Sequence, residues 1–233
     1  MLRLSCTLLL LLIACAVFAA PAPKDGWDRP VDPDNDCKIT IKDGTVTMEL
    51  PGGDHELDPN PKRNRFNAPR LLRDLEGDFV MQVRVSASFR PSAKSSVKGE
   101  DPRVAAGLVL IPAEKNYIRL EYGAYWRNEK QTNGFSNRMR GQQLGINVEY
   151  VHWNPKDWVP NEEHIYLRIE REGNWIRNVL SPDGKTWERH NSSKDPKLPS
   201  KFKVGLAAYS TSTEPFKVRF DQFKLIRGEK KSK

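Results

Sequence analysis

Apolar and polar residues alternate along most of this chain, and this alternation predicts β-strands. The clearest run is 79–89, in which Phe79, Met81 and Val83 begin a series of apolar residues at every second position. A strand places such residues on one face, whereas a helix would spread them around its axis. About a dozen short runs of this kind occur, with no convincing helix. The pattern predicts an all-β chain, folded as two packed antiparallel sheets.

Several local signals refine this prediction. The pair Asp43-Gly44 between two alternating runs predicts a tight hairpin. The turn 181–184 (SPDG) predicts another, because proline presets φ and glycine accepts a positive φ. At Asp221-Gln222 the apolar phase changes from even to odd positions, which requires a bulge or a kink. Residues 127–143 are polar and contain glycine, which predicts a long loop, and 70–75 is a weak candidate for one helical turn.

The first 20 residues differ from the rest of the chain. One basic residue precedes an apolar run, and small residues then lead into proline, a layout typical of a secretory signal peptide. We expect cleavage after Ala19, export to the periplasm or the exterior, and no membrane span afterwards. A single-span anchor is one alternative. The segment 12–15 (LIAC) also resembles a bacterial lipobox, which would make Cys15 the site of a lipid anchor.

Removal of this segment changes what composition implies. The predicted organisation is a signal peptide (1–19), an N-terminal leader (20–36), a sandwich domain (37–227) and a basic tail (228–233). Only Cys37 would remain of the three cysteines, which excludes an intrachain disulfide and metal clusters that need two cysteines. The net charge falls from +8 to +7 and is scattered. With no recognition motif and no basic helix, we expect no nucleic-acid partner.

Eight segments occur in a characteristic order: 68–72 (APRLL), 77–79 (GDF), 106–110 (AGLVL), 117–121 (YIRLE), 167–173 (LRIEREG), 181–187 (SPDGKTW), 204–206 (VGL) and 220–223 (FDQF). This order resembles the concanavalin A-like lectin/glucanase superfamily. More closely, it is similar to the bacterial family of unknown function named after the yeast "regulation of enolase" protein. The resemblance implies a jelly-roll sandwich over roughly residues 37–227, and it implies no agreed activity.

Polar positions on the middle strands suggest a carbohydrate-binding face. Sugar C–H faces stack on aromatic rings, and sugar hydroxyls pair with charged or amide groups. If the strands lie side by side, we expect them to bind a glycan without catalysis. An ordinary solvated sheet face with cross-strand ion pairs is the alternative interpretation. The candidate residues are Tyr117, Arg119, Glu121, Tyr125, Trp126, Glu149, Trp153, Trp158 and Arg168.

Two other functions are compatible with the same sequence. A retaining glycoside hydrolase would use Glu121 and Glu149 on neighbouring strands, because such enzymes need two carboxyl groups about 5 Å apart. The Glu-x-Asp-x-Glu motif of the superfamily's glucanases is absent, which argues against this alternative. A structural or interaction module of the cell envelope would need no small-molecule site.

No cofactor or metal is predicted. The four histidines are scattered and lack metal-ligand spacing. Asp32, Asp34 and Asp36 alternate, as do the acidic residues of 54–58, and either set could hold Ca²⁺. Neither matches a defined calcium loop, so we interpret both as acidic turns.

Overall fold

The computed structural model describes residues 26–58, 65–113, 116–141, 146–150, 164–194 and 198–228, without the side chains of 133–150, 189–191 and 193–194. Within these residues all regular elements longer than a turn are strands. They are β1 (Lys38–Lys42), β2 (Thr45–Leu50), β3 (Leu57–Asp58), β4 (Arg65–Phe66), β5 (Arg70–Glu76), β6 (Phe79–Ala87), β7 (Arg103–Ala113), β8 (Asn116–Arg127), β9 (Lys130–Gly141), β10 (Ile146–Tyr150), β11 (His164–Glu172), β12 (Trp175–Ser181), β13 (Glu188–Lys194), β14 (Lys201–Ser210) and β15 (Phe216–Arg227).

The strands form two large antiparallel sheets. One sheet has seven strands in the order β1-β2-β15-β6-β11-β12-β13, and the other has six in the order β10-β9-β8-β7-β14-β5. The short strands β3 and β4 pair separately. The predicted all-β, two-sheet jelly-roll sandwich is therefore confirmed. The part of the chain that the structure describes contains no helix able to cross a membrane.

The main core lies between the two sheets, as the alternating pattern requires. From β6, Met81, Val83 and Val85 are fully buried, and Leu120 of β8 and Leu206 of β14 meet them from the other sheet. Burial of a side chain of this size contributes about 1.5–3 kcal/mol. Because the inward-facing positions of these strands are occupied by the core, only the outward-facing positions are available for a site.

Three turn and bulge predictions are confirmed. Asp43 and Gly44 both have positive φ (49° and 71°) and close the β1–β2 hairpin. In β15 the register with β6 shifts between Asp221 and Lys224, and Gln222 has a φ of 51°. Gly184 has a φ of 73°, and the turn around it joins β12 to β13.

Two secondary-structure predictions are wrong. Most of 127–143 is strand β9, which pairs with β8 on one side and β10 on the other. Asn128 and Glu129, at φ values of 51° and 59°, turn the chain between β8 and β9. Backbone hydrogen bonds to both neighbours stabilise this polar strand without an apolar period. Residues 70–75 belong to edge strand β5, because pairing with β14 overrides the weak local helical preference.

The outer face of the six-stranded sheet is covered by other parts of the chain. We call residues 53–58 and 65–68 the covering segment. In it, His55 forms a bridge with Ser210 of β14, and Leu57 is fully buried in a second apolar cluster with Tyr117 and Tyr209. Part of the predicted leader also packs on the domain, since Val31 exchanges two backbone hydrogen bonds of 2.9 Å with Arg70. The predicted signal peptide, with Cys15, and the tail beyond residue 228 lie outside the described residues.

Candidate functional site

Four charged residues form a compact cluster under the covering segment, which we call the Arg-Glu cluster: Glu56, Arg103, Arg119 and Glu121. Arg119 Nη1 donates to Glu56 Oε1 at 2.5 Å, and Arg103 Nη2 lies 2.7 Å from Glu56 Oε2. Arg119 Nε is 3.2 Å from Glu121 Oε2, and Arg103 Nη1 is 3.6 Å from Glu121 Oε1. Two arginines and two carboxylates thus neutralise one another in pairs.

Arg119 is the centre of this cluster and has no exposed surface. Its guanidinium carbon lies 4.4 Å from the ring centre of Tyr209 and 5.0 Å from that of Tyr117. Burial disfavours its charge, but the carboxylates of Glu121 and Glu56 more than compensate and hold its pKa well above the usual value. Burial also raises the pKa of Tyr209, which therefore stays a neutral phenol.

The structure brings together three predicted site residues and buries all of them. Tyr117, Arg119 and Glu121 share one face of β8, as alternation requires, but they are 4%, 0% and 2% exposed. They are buried because the covering segment, with Glu56, lies over them. Residues 54–58 thus pack on the sheet and are more than the acidic turn that the sequence predicts. The alternation of Asp54, Glu56 and Asp58 gave no signal that one carboxylate points inward. Ligand binding by the three residues remains a prediction.

The outer face of β8, covered at Tyr117, Arg119 and Glu121, becomes accessible to solvent towards the end of the strand. Tyr125 and Trp126 are half-buried there, and the exposed Arg127 guanidinium carbon lies 5.3 Å from the Tyr125 ring centre. Arg127 Nε also donates to Asp101 Oδ2 at 2.5 Å. The Trp126 backbone N–H donates to the Pro102 carbonyl at 2.9 Å, which fixes this end of the strand. Tyr125 and Arg127 lie on the outer face of β8, whereas Trp126 between them points to the opposite face of the sheet. One ring and one guanidinium are therefore within reach of a molecule at the outer face.

Glu149 does not lie on a strand next to Glu121. Strand β9 separates β8 from β10, because Arg119 is in register with Arg138 and Arg138 with Glu149. Two strand spacings put the β8 and β10 backbones about 10 Å apart. The neighbouring-strand premise of the hydrolase alternative is therefore wrong. Trp153 and Trp158 lie outside the described residues.

Arg168 lies on the other sheet. Its strand, β11, pairs with β6 and β12, so Arg168 does not share a face with Tyr117. Its guanidinium carbon is 3.6 Å from the Trp187 ring centre, and its Nη2 donates to Gln82 Oε1 at 2.8 Å. The prediction of a single face with this residue is wrong, because outward positions of the two sheets point to opposite sides of a sandwich.

The alternating acidic residues before β1 contact different partners. Asp32 Oδ2 accepts the Cys37 backbone N–H at 2.9 Å, and the Asp34 carboxylate accepts hydrogen bonds from Arg65 and Asn67. The Asp36 carboxylate instead lies beside His55, so the three carboxylates do not converge on one point. This arrangement offers no shared Ca²⁺ position.

A carboxylate, a thiol and an imidazole, from Asp36, Cys37 and His55, meet beside these acidic residues. His55 Nε2 is 3.2 Å from Asp36 Oδ1, and Cys37 Sγ is 3.3 Å from the same oxygen. All three donor atoms lie within 4.8 Å of one another. Burial, followed by the nearby carboxylates, raises the pKa of the Cys37 thiol, which is therefore protonated in the ion-free protein. The sequence places His55 and Cys37 too far apart to suggest this group.

Comparison with known proteins identifies the fold. No family model and no curated protein matches the chain. A functionally unknown protein from Saccharomyces cerevisiae is 18% identical, with a TM-score of 0.59 over 82% of this chain and 92% of that one. The alginate lyase from Klebsiella pneumoniae is 15% identical, with a TM-score of 0.57 over 91% and 100% of the two chains. Lectin I-B4 from Griffonia simplicifolia, in a metal-free form, is 12% identical, with a TM-score of 0.53 over 87% and 93%.

These similarities confirm the β-sandwich fold that the sequence predicts. The narrower resemblance to the "regulation of enolase" family stays a prediction. At identities of 18% and below, the shared property is the fold. The chain therefore shares the two-sheet β-sandwich fold of these structures.

Proposed function

We propose that this protein is a non-catalytic carbohydrate-binding sandwich that holds a glycan at the open end of β8. The observation that carries the proposal is the half-buried Tyr125 ring beside the exposed Arg127 guanidinium on the outer face of this strand end. The fold supports it, because structures that share this sandwich include a lectin and an alginate lyase.

The chemistry of this end of the strand suits a sugar. Aromatic rings offer flat apolar surface for the C–H face of a pyranose, and a guanidinium offers paired donors for hydroxyls or a carboxylate. The Arg127 side chain is 62% exposed and that of Asp101 is 35% exposed. An exposed ion pair is worth about 0–1 kcal/mol, so a ligand replaces it at small cost. Arg127 is therefore available to a bound glycan.

The Arg-Glu cluster argues against hydrolysis. Glu56 and Glu121 are both buried, and each lies against both Arg103 and Arg119. A general acid must reach the glycosidic oxygen of a bound sugar, and these two carboxylates are only 3% and 2% exposed. We assign the cluster the task of fixing the covering segment on the sheet, which positions β8 for binding at its end.

Binding to alginate and to xylan tests this proposal, one polymer being acidic and the other neutral. The double variant Tyr125→Ala/Arg127→Ala should bind the better polymer at least about tenfold more weakly in calorimetric titration. One ring contact of about 0.5–1.5 kcal/mol and one charge-assisted hydrogen bond of about 1.5–3 kcal/mol are lost. Trp175→Ala is the matched control, because Trp175 is 42% exposed on the other sheet. It should bind like the wild type, and circular dichroism should show that all variants are folded.

Three results would overturn the proposal. Equal losses of affinity in the double variant and in Trp175→Ala would show that the binding site is not at the end of β8. New reducing ends released from either polymer would show hydrolysis. If neither polymer binds, a structural or interaction module of the cell envelope becomes the better interpretation.

We also propose that the protein is exported, on the pattern of its first 20 residues. Intact-mass measurement of the protein recovered from cells should show loss of residues 1–19. A mature chain that begins at Cys15 with an added lipid mass would instead identify a lipoprotein, and an uncut chain in the membrane fraction would identify an anchor.

A further inference from the structure

The group formed by Asp36, Cys37 and His55 has the dimensions of a metal site. With Zn–N and Zn–O bonds of about 2.0–2.1 Å and a Zn–S bond of about 2.3 Å, a tetrahedral ion separates its ligand atoms by about 3.3–3.6 Å. The observed separations from Asp36 Oδ1 are 3.2 Å to the His55 nitrogen and 3.3 Å to the Cys37 sulfur. The three donor atoms all lie within 4.8 Å of one another, so movement of about 1 Å brings them to the spacing of a tetrahedral ion.

The fold holds two of these donors firmly. His55 is 2% exposed, and its backbone exchanges hydrogen bonds of 2.8 Å and 3.0 Å with Ser210. The backbone N–H of Cys37 donates to Asp32 Oδ2. Gly53 leaves space for the imidazole, since a Cβ there would lie 3.2 Å from His55 Cε1. The ring is thus buried and oriented towards Asp36, whose side chain is 43% exposed and gives an ion access from solvent.

A second carboxylate adds negative charge beside the group. Asp32 lies close enough to Cys37 to act on its thiol, and Asp32 Oδ1 is buried without a hydrogen-bond partner among the described residues. Buried polar atoms of this kind are rare and call for an explanation. One explanation is a bound cation that compensates the negative charge of the Asp32 carboxylate.

The donor types select the class of ion. Calcium and magnesium take oxygen ligands almost exclusively, whereas thiolate and imidazole ligands suit zinc and related transition metals. Three protein ligands also leave one position of a tetrahedral ion free. The set of one nitrogen, one sulfur and one oxygen therefore favours Zn²⁺ with a solvent molecule as its fourth ligand.

We propose that Asp36, Cys37 and His55 form a Zn²⁺ site that ties the start of β1 to the covering segment. On binding, the Cys37 thiol releases its proton to solvent. The His55 ring proton that faces Asp36 moves from Nε2 to Nδ1 by exchange with solvent, so that Nε2 takes the ion. The ion then links residues 36–37 to residue 55, next to Glu56 of the Arg-Glu cluster. The site stabilises the covering segment, and it does not depend on the proposed glycan binding.

Zinc titration of the full chain, first stripped of metal with a chelator, tests the proposal. The wild type should bind one Zn²⁺ per chain, and its melting temperature should rise with zinc concentration. Asp36→Asn and Cys37→Ser should each weaken binding at least tenfold. Co²⁺ should give a thiolate-to-cobalt charge-transfer absorption in the wild type that is lost in Cys37→Ser.

Two control variants keep the outcome clear. Asp74→Asn and His164→Asn remove an exposed carboxylate and an exposed imidazole elsewhere in the chain, and neither should change zinc affinity. Asp36→Asn alters a largely exposed side chain, so it reports on binding even if a His55 variant does not fold. The proposal is overturned if the wild type binds no zinc at a one-to-one ratio, or if Cys37→Ser and Asp36→Asn bind zinc as well as the wild type.

Discussion

Removal of one carboxylate from the Arg-Glu cluster should strongly destabilise the protein. In Glu56→Gln, the uncharged amide would face two guanidiniums that the carboxylate now contacts at 2.5 Å and 2.7 Å. Arg119 is fully buried and would keep only Glu121 as a carboxylate partner among the described residues. Breaking a buried ion pair on one side costs about 3–5 kcal/mol. Because glutamine preserves shape and one acceptor, we expect about 3 kcal/mol.

Urea unfolding followed by tryptophan fluorescence measures this loss. For a chain of this size, about 3 kcal/mol corresponds to a fall in melting temperature of roughly 6–12 °C. Glu172→Gln is the matched control, since the Glu172 side chain is 65% exposed and contacts Arg177 at 2.8 Å. It should cost less than about 1 kcal/mol. Equal and small effects of the two substitutions would refute the claim that burial makes the cluster costly to break.

A double-mutant cycle locates the effect within the cluster. Arg103→Met added to Glu56→Gln should cost less than Arg103→Met in the wild type, because the carboxylate that Arg103 contacts is already gone. Additive free energies of unfolding would mean that Glu56 and Arg103 act independently, and that Glu56 stabilises the cover in some other way.

Two further predictions concern single positions. Gly107→Ala should lower the free energy of unfolding by at least about 3 kcal/mol or prevent folding, because the new Cβ would lie 2.0 Å from the Leu120 carbonyl oxygen. Gly44→Ala, at a φ of 71° with open space around it, should cost only about 1 kcal/mol. Similar values for the two variants in urea unfolding would contradict the clash. The hydrogen bond from Arg84 lowers the pKa of Asp221, so its stabilisation is complete above the unfolded pKa of about 3.9 and is lost as pH falls through the folded value. Asp221→Asn should therefore lower the free energy of unfolding by about 2 kcal/mol at pH 7, and this free energy should then fall less steeply below about pH 4 than in the wild type. An unchanged dependence on pH in the acid range would contradict this assignment.

The covering segment connects the two proposals about this molecule. It carries Glu56, which pairs with the buried arginines, and His55, which belongs to the proposed zinc site. It also buries Tyr117, one of the aromatic residues first expected to meet a sugar. Glycan binding is for this reason proposed at the far end of β8, where Tyr125 and Arg127 are still accessible on the outer face.

Local physical rules made much of the fold predictable from sequence. The alternation in 79–89 follows from the two-residue period of a strand, which holds wherever one face is buried. The Asp43-Gly44 hairpin and the bulge at Gln222 follow from backbone conformations that few residues adopt without strain. Strand β9 escaped prediction because its polar residues carry no apolar period, and its pairing depends on the neighbours it meets.

The site depended on contacts between distant parts of the chain. Arg119 and Glu56 are 63 residues apart, and His55 and Asp36 are 19 apart, so no local pattern reports that they meet. Local alternation is enough to predict an all-β sandwich and the outward-facing positions of the strands that carry an apolar period. Which outward residues share a sheet, and which are covered, depends on strand order and on the covering loops, because these minimise the free energy of the whole domain.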